Sequence, residues 1–381
     1  MGFLKKYLSA IFLVIAIQGC SISILNIPVN VNGDKYPMFG KNSERNFFAP
    51  VTVSDSLQLV WENNTSGSFE NSSVTISDSI VFVGDFSGRV YAFSFYDGKE
   101  IGKLKDKGAV YTAPVVYNSW IIYAVSLLDE NESTLYLYSY TDGKVFREIN
   151  VKGRVLTEIA ATDDGFVITT EQGEIQKYDL YGLLLWKTSL DAYTHSSPAI
   201  SEGKIIVGDD KGNITAIDSH SGKIIYKEKI GGLFLSGGSI KNGNIYFGND
   251  NGKIYSLDIK SGEINWSFNS GARILMTPAA DDNNLFVGNL NGDLFCLNLE
   301  KGNEIWKFYS GGIFNATPLI TNNYLFVPDL NRELHIVNKA NGSLQKTMHL
   351  EGRAKFTPVL FRNILLIGFD RGMIQAYEFK Y

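Results

Sequence analysis

Residues 252–266 read Gly-Lys-Ile-Tyr-Ser-Leu-Asp-Ile-Lys-Ser-Gly-Glu-Ile-Asn-Trp, and residues 292–306 read Gly-Asp-Leu-Phe-Cys-Leu-Asn-Leu-Glu-Lys-Gly-Asn-Glu-Ile-Trp. Both stretches open on glycine, alternate apolar and polar residues, pass an Asp or Asn, and reach a second glycine followed four residues on by Trp. Working outward, the opening glycine recurs at Gly212, Gly252, Gly292 and Gly372, with Arg332 in phase and Gly173 and Gly88 upstream. The second glycine recurs at 98, 143, 182, 222, 262, 302 and 342. A third column is proline, after Thr or Ser at Pro198, Pro278, Pro318 and Pro358 and after Ala at Pro114. A unit of ~40 residues with four short strand-like runs, such as Pro278–Ala280, Leu285–Gly288, Asp293–Asn298 and Asn303–Phe308, is the signature of a propeller blade. The expected fold is all-β: an eight-bladed β-propeller of four-stranded blades over residues 57–381.

The last unit stops after three runs, at Met373–Tyr381, while Leu57–Trp61 is a stray fourth run. Joined, they complete the eighth blade and remove two open sheet edges. The Asp129–Thr134 stretch is an insertion in the second unit. Small residues recur mid-strand at Ala92, Ala216, Ser256, Cys296 and Ala376, which makes Cys296 the filler of a small buried slot. The chain carries 35 Lys+Arg against 40 Asp+Glu, a net charge of −5, and no basic block, so neither nucleic acid nor an anionic lipid surface is an expected partner through clustered charge. Two cysteines cannot build a disulfide framework.

At the other end, Lys5 and Lys6 precede an apolar run from Tyr7 to Ile17, too short to span a bilayer as a helix. The run ends in Ile17-Gln18-Gly19-Cys20, which resembles the bacterial lipobox. That resemblance implies a signal peptide over 1–19 and a lipidated Cys20, with Ser21 rather than an Asp after it, hence placement on an outer membrane, facing the periplasm. Residues 20–56 carry no repeat and read as a tether.

Chemistry-bearing constellations are sparse. His195, His220, His335 and His349 show no metal spacing with one another, and no Gly-x-Ser-x-Gly elbow, phosphate loop or His-Glu-x-x-His occurs. The recurring Asp97, Asp142, Asp218 and Asp258 are turn residues. The chain is therefore expected to be non-catalytic, with no cofactor and no bound metal. The segments that lead from each fourth strand into the next first strand carry Phe69, Tyr111, Arg154, Tyr193, His195, Phe234, Arg273, Phe314, Arg353 and Phe356. Aromatic and Arg side chains on scaffold-held loops are enriched in binding hot spots. Phe69, Tyr193, His195, Phe234, Arg273, Phe314 and Arg353 are the candidate partner-binding residues.

The two quoted stretches look like the PQQ-type propeller repeat, found in quinoprotein dehydrogenases and in non-catalytic relatives. A lipobox followed by one eight-bladed propeller is similar to the BamB-like family of outer-membrane assembly lipoproteins. The resemblance implies a lipid-anchored interaction scaffold whose partner is the periplasmic part of the outer-membrane barrel-assembly protein. Family members are thought to dock through mid-chain inter-blade loops bearing an Arg and an acidic residue. The corresponding stretches here, Tyr193-Thr194-His195 and Leu235-Ser236-Gly237-Gly238, have neither, so those docking residues do not transfer. The competing classes are a PQQ-dependent oxidoreductase and a ligand-binding periplasmic propeller; the dehydrogenases' vicinal Cys pair is missing and no acidic cluster converges on the axis.

Overall fold

A computed structural model describes residues 25–28 and 32–381. The strands form eight separate antiparallel sheets, each with four strands of the repeat. In the sixth blade the strands are Ala279–Ala280, Asn284–Gly288, Asp293–Asn298 and Glu304–Tyr309, within a residue or two of the runs read from the sequence. The eighth blade closes as expected: Leu57–Asn64 pairs antiparallel with Met373–Phe379, setting Trp61 opposite Ala376 and Leu57 opposite Phe379. The insertion in the second blade extends its central hairpin into two eight-residue strands, Trp120–Leu127 and Glu132–Ser139. No helix among the described residues is long and apolar enough to cross a membrane.

The two glycine and Trp columns turn out to be one contact. Each fourth-strand aromatic lies against the second glycine of the following blade: Trp61 on Gly98, Trp186 on Gly222, Tyr226 on Gly262, Trp266 on Gly302 and Trp306 on Gly342. The indole Nε1–H then donates to a backbone carbonyl of that same blade, Trp61 to Phe95 at 2.9 Å, Trp266 to Leu299 at 3.1 Å and Trp306 to Lys339 at 3.0 Å. Neighbouring sheets diverge with radius, and a large ring with one polar tip fills the gap without stranding its N–H. Gly302 has φ +69° and a Cβ there would stand 2.3 Å from the Trp266 ring. Gly302→Ala should cost about 1–3 kcal/mol in chemical denaturation by overpacking. Gly243→Ala, at φ +73° with nothing within 4 Å, should cost only the ~1 kcal/mol of a left-handed backbone. Equal losses at the two sites would remove the packing explanation. Cys296, 1% exposed, pairs with Phe286 and Trp306, and burial pushes its thiol up to about 12.

Because strand direction alternates, the ring has two faces. One carries the fourth-to-first connections and the hairpins between second and third strands; we refer to it as the loop face. The other carries the turns between first and second and between third and fourth strands.

Residues 34–53 correct the tether reading, because they occupy the centre of this second face. Lys35–Tyr36 adds an innermost strand to the first blade against Ile76 and Ser77. The segment then accepts backbone bonds from one blade after another: Val116 N–H to the Pro37 carbonyl, Ile200 to Ser43, Ile240 to Glu44, Ala280 to Asn46 and Ile320 to Phe47, all at 2.7–3.0 Å. Tyr36, Met38, Phe39, Arg45, Phe47 and Val53 are buried along it. First strands lining an axial channel leave their inner N–H groups unpaired, and such donors need acceptors. A chain threaded across them supplies those acceptors and closes the channel. We call this segment the hub and its side of the ring the hub face. Cys20 and residues 1–24 as a whole lie outside the described residues.

Candidate docking face and axial funnel

Each connection on the loop face follows the same five-residue rhythm before its proline-column position. The residue five before is exposed in blades four to eight: Tyr193, Leu233, Arg273, Ile313 and Arg353. The next is buried between blades in blades two to eight, among them Val110, Phe234, Ile274, Phe314 and Ala354, while in blade one the buried residue, Phe69, stands one place earlier. The residue after that faces the axis. The first strand begins here, and alternation turns successive side chains to opposite sides.

That rhythm divides the candidate partner-binding residues. Tyr193, Arg273 and Arg353 are exposed, Tyr193 at 59%, and His195 is half-exposed. Phe69, Phe234 and Phe314 are at most 1% exposed and are corrected to packing residues, since their rings face neighbouring side chains. Phe69 lies 4.4 Å from Phe356 and Phe234 lies 5.3 Å from Phe247, ring centre to ring centre. In place of the last two, Leu233 and Ile313, 37% and 41% exposed, stand one residue earlier on the surface. The loops are braced by the hairpins beside them: Leu233 N–H donates to Asp250 Oδ1 at 2.6 Å and Arg353 N–H to Asp370 Oδ1 at 3.0 Å. Arg154 pairs with Glu171, and His195 Nδ1 lies 3.0 Å from Asp210 Oδ2.

The axis-facing residues enclose a funnel of about 250 Å³, lined in blades one to six by Glu70, Tyr111, Leu156, His195, Leu235 and Leu275, with Phe39 of the hub at its base. Its wall holds a buried carboxyl. Glu158, 5% exposed, accepts from Ser72 Oγ at 2.5 Å and from Ala113 N–H at 2.8 Å, while its own N–H donates to Ser197 Oγ at 3.0 Å. Four blades thus meet at one residue. Burial pushes the Glu158 carboxyl up to about 7, opposed by the Ser72 bond, the Arg45 charge and the Ala113 bond. Arg45, 1% exposed, reaches up from the hub, its Nη2 donating to the Glu158 carbonyl at 3.4 Å and its guanidinium 5.5 Å from the Phe39 ring centre. Burial lowers that guanidinium to about 10, so it stays charged at neutral pH.

A quinone with its Ca²⁺ does not fit this arrangement. Ca²⁺ takes six to eight oxygen ligands, carboxylates among them, whereas the funnel's two carboxylates are Glu158, with both oxygens already bonded, and Glu70 at the mouth, its other side-chain oxygens being those of neutral residues. Away from the axis, Asp329, Glu333 and His335 place ligand atoms within 4.8 Å of one another in blade seven. There Asp329 Oδ1 accepts from the N–H groups of Asn331 and Glu333, and Oδ2 faces His335 Nε2 at 3.0 Å. That set braces a hairpin turn.

A family model described as outer membrane protein assembly factor BamB matches residues 131–273 and 250–378. The chain belongs to this BamB family. It is 26% identical over 177 residues to BamB of Yersinia pestis and 28% identical over 197 residues to that of Moranella endobia, 42% and 45% of this chain. Those alignments span 44% and 49% of the relatives, about half their length. Among solved structures, Moraxella catarrhalis BamB superposes with a TM-score of 0.71 at 15% identity, covering 85% of this chain and 100% of its own. The quinohemoprotein alcohol dehydrogenase of Comamonas testosteroni superposes at 0.74 with 11% identity, covering 90% of this chain and 80% of its own. At such identities the likeness is one of fold, which dehydrogenases and assembly factors share.

Proposed function

We propose that this BamB-family chain is a non-catalytic scaffold in outer-membrane β-barrel assembly, with 1–19 as a signal peptide, Cys20 as its lipid anchor on the periplasmic face of the outer membrane, and 57–381 as the propeller. The observation that carries the reading is the run of five consecutive blades presenting Tyr193, Leu233, Arg273, Ile313 and Arg353 on braced loops. An aromatic, aliphatic and Arg stripe on rigid loops binds a protein surface with little ordering cost. The partner is the periplasmic part of the barrel-assembly protein.

The test is affinity purification of tagged, detergent-solubilised chain from its native membrane. The barrel-assembly protein should co-elute, and Tyr193→Ala with Arg273→Ala should weaken that association at least tenfold, the effect of losing two hot-spot residues at upward of 1 kcal/mol each. Recovery of a different periplasmic partner, or retention despite both substitutions, would rule out the assembly role or the docking face respectively.

A further inference from the structure

The turn between third and fourth strands is polar on both sides of its glycine in six blades: Asp97-Gly98-Lys99, Asp142-Gly143-Lys144, Ser221-Gly222-Lys223, Ser261-Gly262-Glu263, Lys301-Gly302-Asn303 and Asn341-Gly342-Ser343. Blade three reads Leu180-Tyr181-Gly182-Leu183-Leu184-Leu185 instead. None of this is hidden by folding. Tyr181 is 60% exposed and Leu183, Leu184 and Leu185 are 50–52% exposed. The adjoining edge of blade two adds Val145 and Phe146, 44% and 48% exposed. Trp120 stacks on Phe146 at 4.5 Å, and Tyr181 lies 6.4 and 6.3 Å from the two rings. Contiguous exposed apolar surface of this kind marks a binding surface.

Its neighbour identifies what covers it. Leu25, 1% exposed, is pinned to blade two, its carbonyl accepting from the Tyr138 hydroxyl at 3.1 Å, and Ile27 N–H donates to the Tyr140 carbonyl at 2.8 Å. Asn26 between them lines the same groove as Trp120, Val145 and Phe146. Cys20 is five residues before Leu25, a reach of at most ~18 Å even for extended chain. Any acyl group on Cys20 therefore keeps Leu25, and the edge of blade two that it is pinned to, within ~18 Å of the bilayer surface. Trp, Tyr and Leu are the residues that settle at the boundary between headgroups and acyl chains. Lys144 and Arg147 on this edge are matched by exposed Asp142 and Glu148, so the contact with lipid is made by the apolar side chains and not by charge.

We propose that the hub-face rim of blades two and three, centred on Trp120, Phe146, Tyr181 and Leu183, inserts into the lipid interface and fixes the propeller's orientation. The proposal rests on the reading of Cys20 as the anchor. The exposed stripe from Tyr193 to Arg353 belongs to the opposite, loop face, so this orientation turns it toward the periplasm.

The experiment uses the full acylated chain in phosphatidylethanolamine/phosphatidylglycerol vesicles, with an environment-sensitive dye on Leu183→Cys or, across the ring, on Ile305→Cys, which replaces a 47% exposed residue. Cys296 is buried and stays unlabelled. The dye at 183 should shift to the blue and be quenched several-fold by shallow spin-labelled lipid, while the dye at 305 reports water. Phe146→Ser with Tyr181→Ser, which removes exposed rings only, should return the signal at 183 to water. Water-like emission at 183, or equal quenching at both sites, overturns the proposal; so does burial of the dye in native membranes but not in vesicles, which assigns the patch to a protein. Acylation is scored separately, by the mass of the N-terminal peptide. Should Cys20 be unmodified, the anchor reading fails, and co-sedimentation of the chain with the same vesicles decides the patch: binding lost with the two Ser substitutions upholds it, and no binding rejects it.

Discussion

Phe47→Ala will lower the free energy of unfolding by about 3–5 kcal/mol, the range for deleting a large buried aromatic. The residue lies in a stretch that the sequence presents as a linker, where a substitution normally changes stability by less than about 0.5 kcal/mol. In the fold its ring is 3% exposed, packs edge-on to Phe39 at 5.1 Å, and sits in the cluster that contains Ile274, Ala280 and Ile320. Alanine leaves the Phe47 carbonyl free to accept from Ile320 N–H at 3.0 Å, so the loss measures side-chain packing, with the backbone thread intact. A urea titration with an unchanged slope and a lower midpoint is the expected record. A midpoint within error of the parent chain would return residues 34–53 to the status of a tether. The same substitution also opens the base of the funnel, because Phe39 would lose the ring that holds it in place.

The contrast between hub and blades explains what the sequence displays. The blades share one packing problem, so the same solution is written five times over: the Trp61-to-Gly98 contact is the Trp266-to-Gly302 contact, and a lag of ~40 residues exposes both. The hub is used once and holds through main-chain acceptors such as the Pro37, Ser43 and Asn46 carbonyls. Any residue has a carbonyl, so such bonding leaves no pattern of residue types. The loop face falls between these cases. Its column was visible, and Tyr193, Arg273 and Arg353 stand in phase on the exposed side. Large aromatics single out Phe234 and Phe314, one residue out of that phase, where alternation buries them. Counting back five residues from each position of the proline column would have selected Leu233 and Ile313. Nor did the period reveal the patch on blade three, since Tyr181 and Leu183 are departures from the repeat.

Glu158 supplies the second large effect, a stability that declines as pH rises toward neutrality. Its carboxyl, with an ordinary value of 4.5, is raised to about 7 in the fold by burial. The folded state therefore binds this proton more tightly than the unfolded chain, and between those two values unfolding releases it. Stability is highest below about 4.5 as far as this group is concerned, falls through the interval, and levels off above about 7, by on the order of 3 kcal/mol in total. Glu158→Gln keeps the two hydrogen bonds, with its oxygen accepting from Ala113 N–H and its amide donating to Ser72 Oγ, but has no proton to lose. The difference in unfolding free energy between parent and variant should thus grow steadily from pH 5 to 7.5 in favour of glutamine, whatever the other titrating groups contribute. A difference that is flat with pH would mean that Glu158 is ionised throughout. Arg45→Met separates the counter-charge from the burial: with the guanidinium gone, ionised Glu158 loses its one buried cationic neighbour, its pKa rises further, and the decline extends above pH 7. Because Arg45 comes from the hub and Glu158 from blade three, with Ser72 and Ala113 from blades one and two, the stability lost on ionisation falls on the junction that ties the hub to three blades.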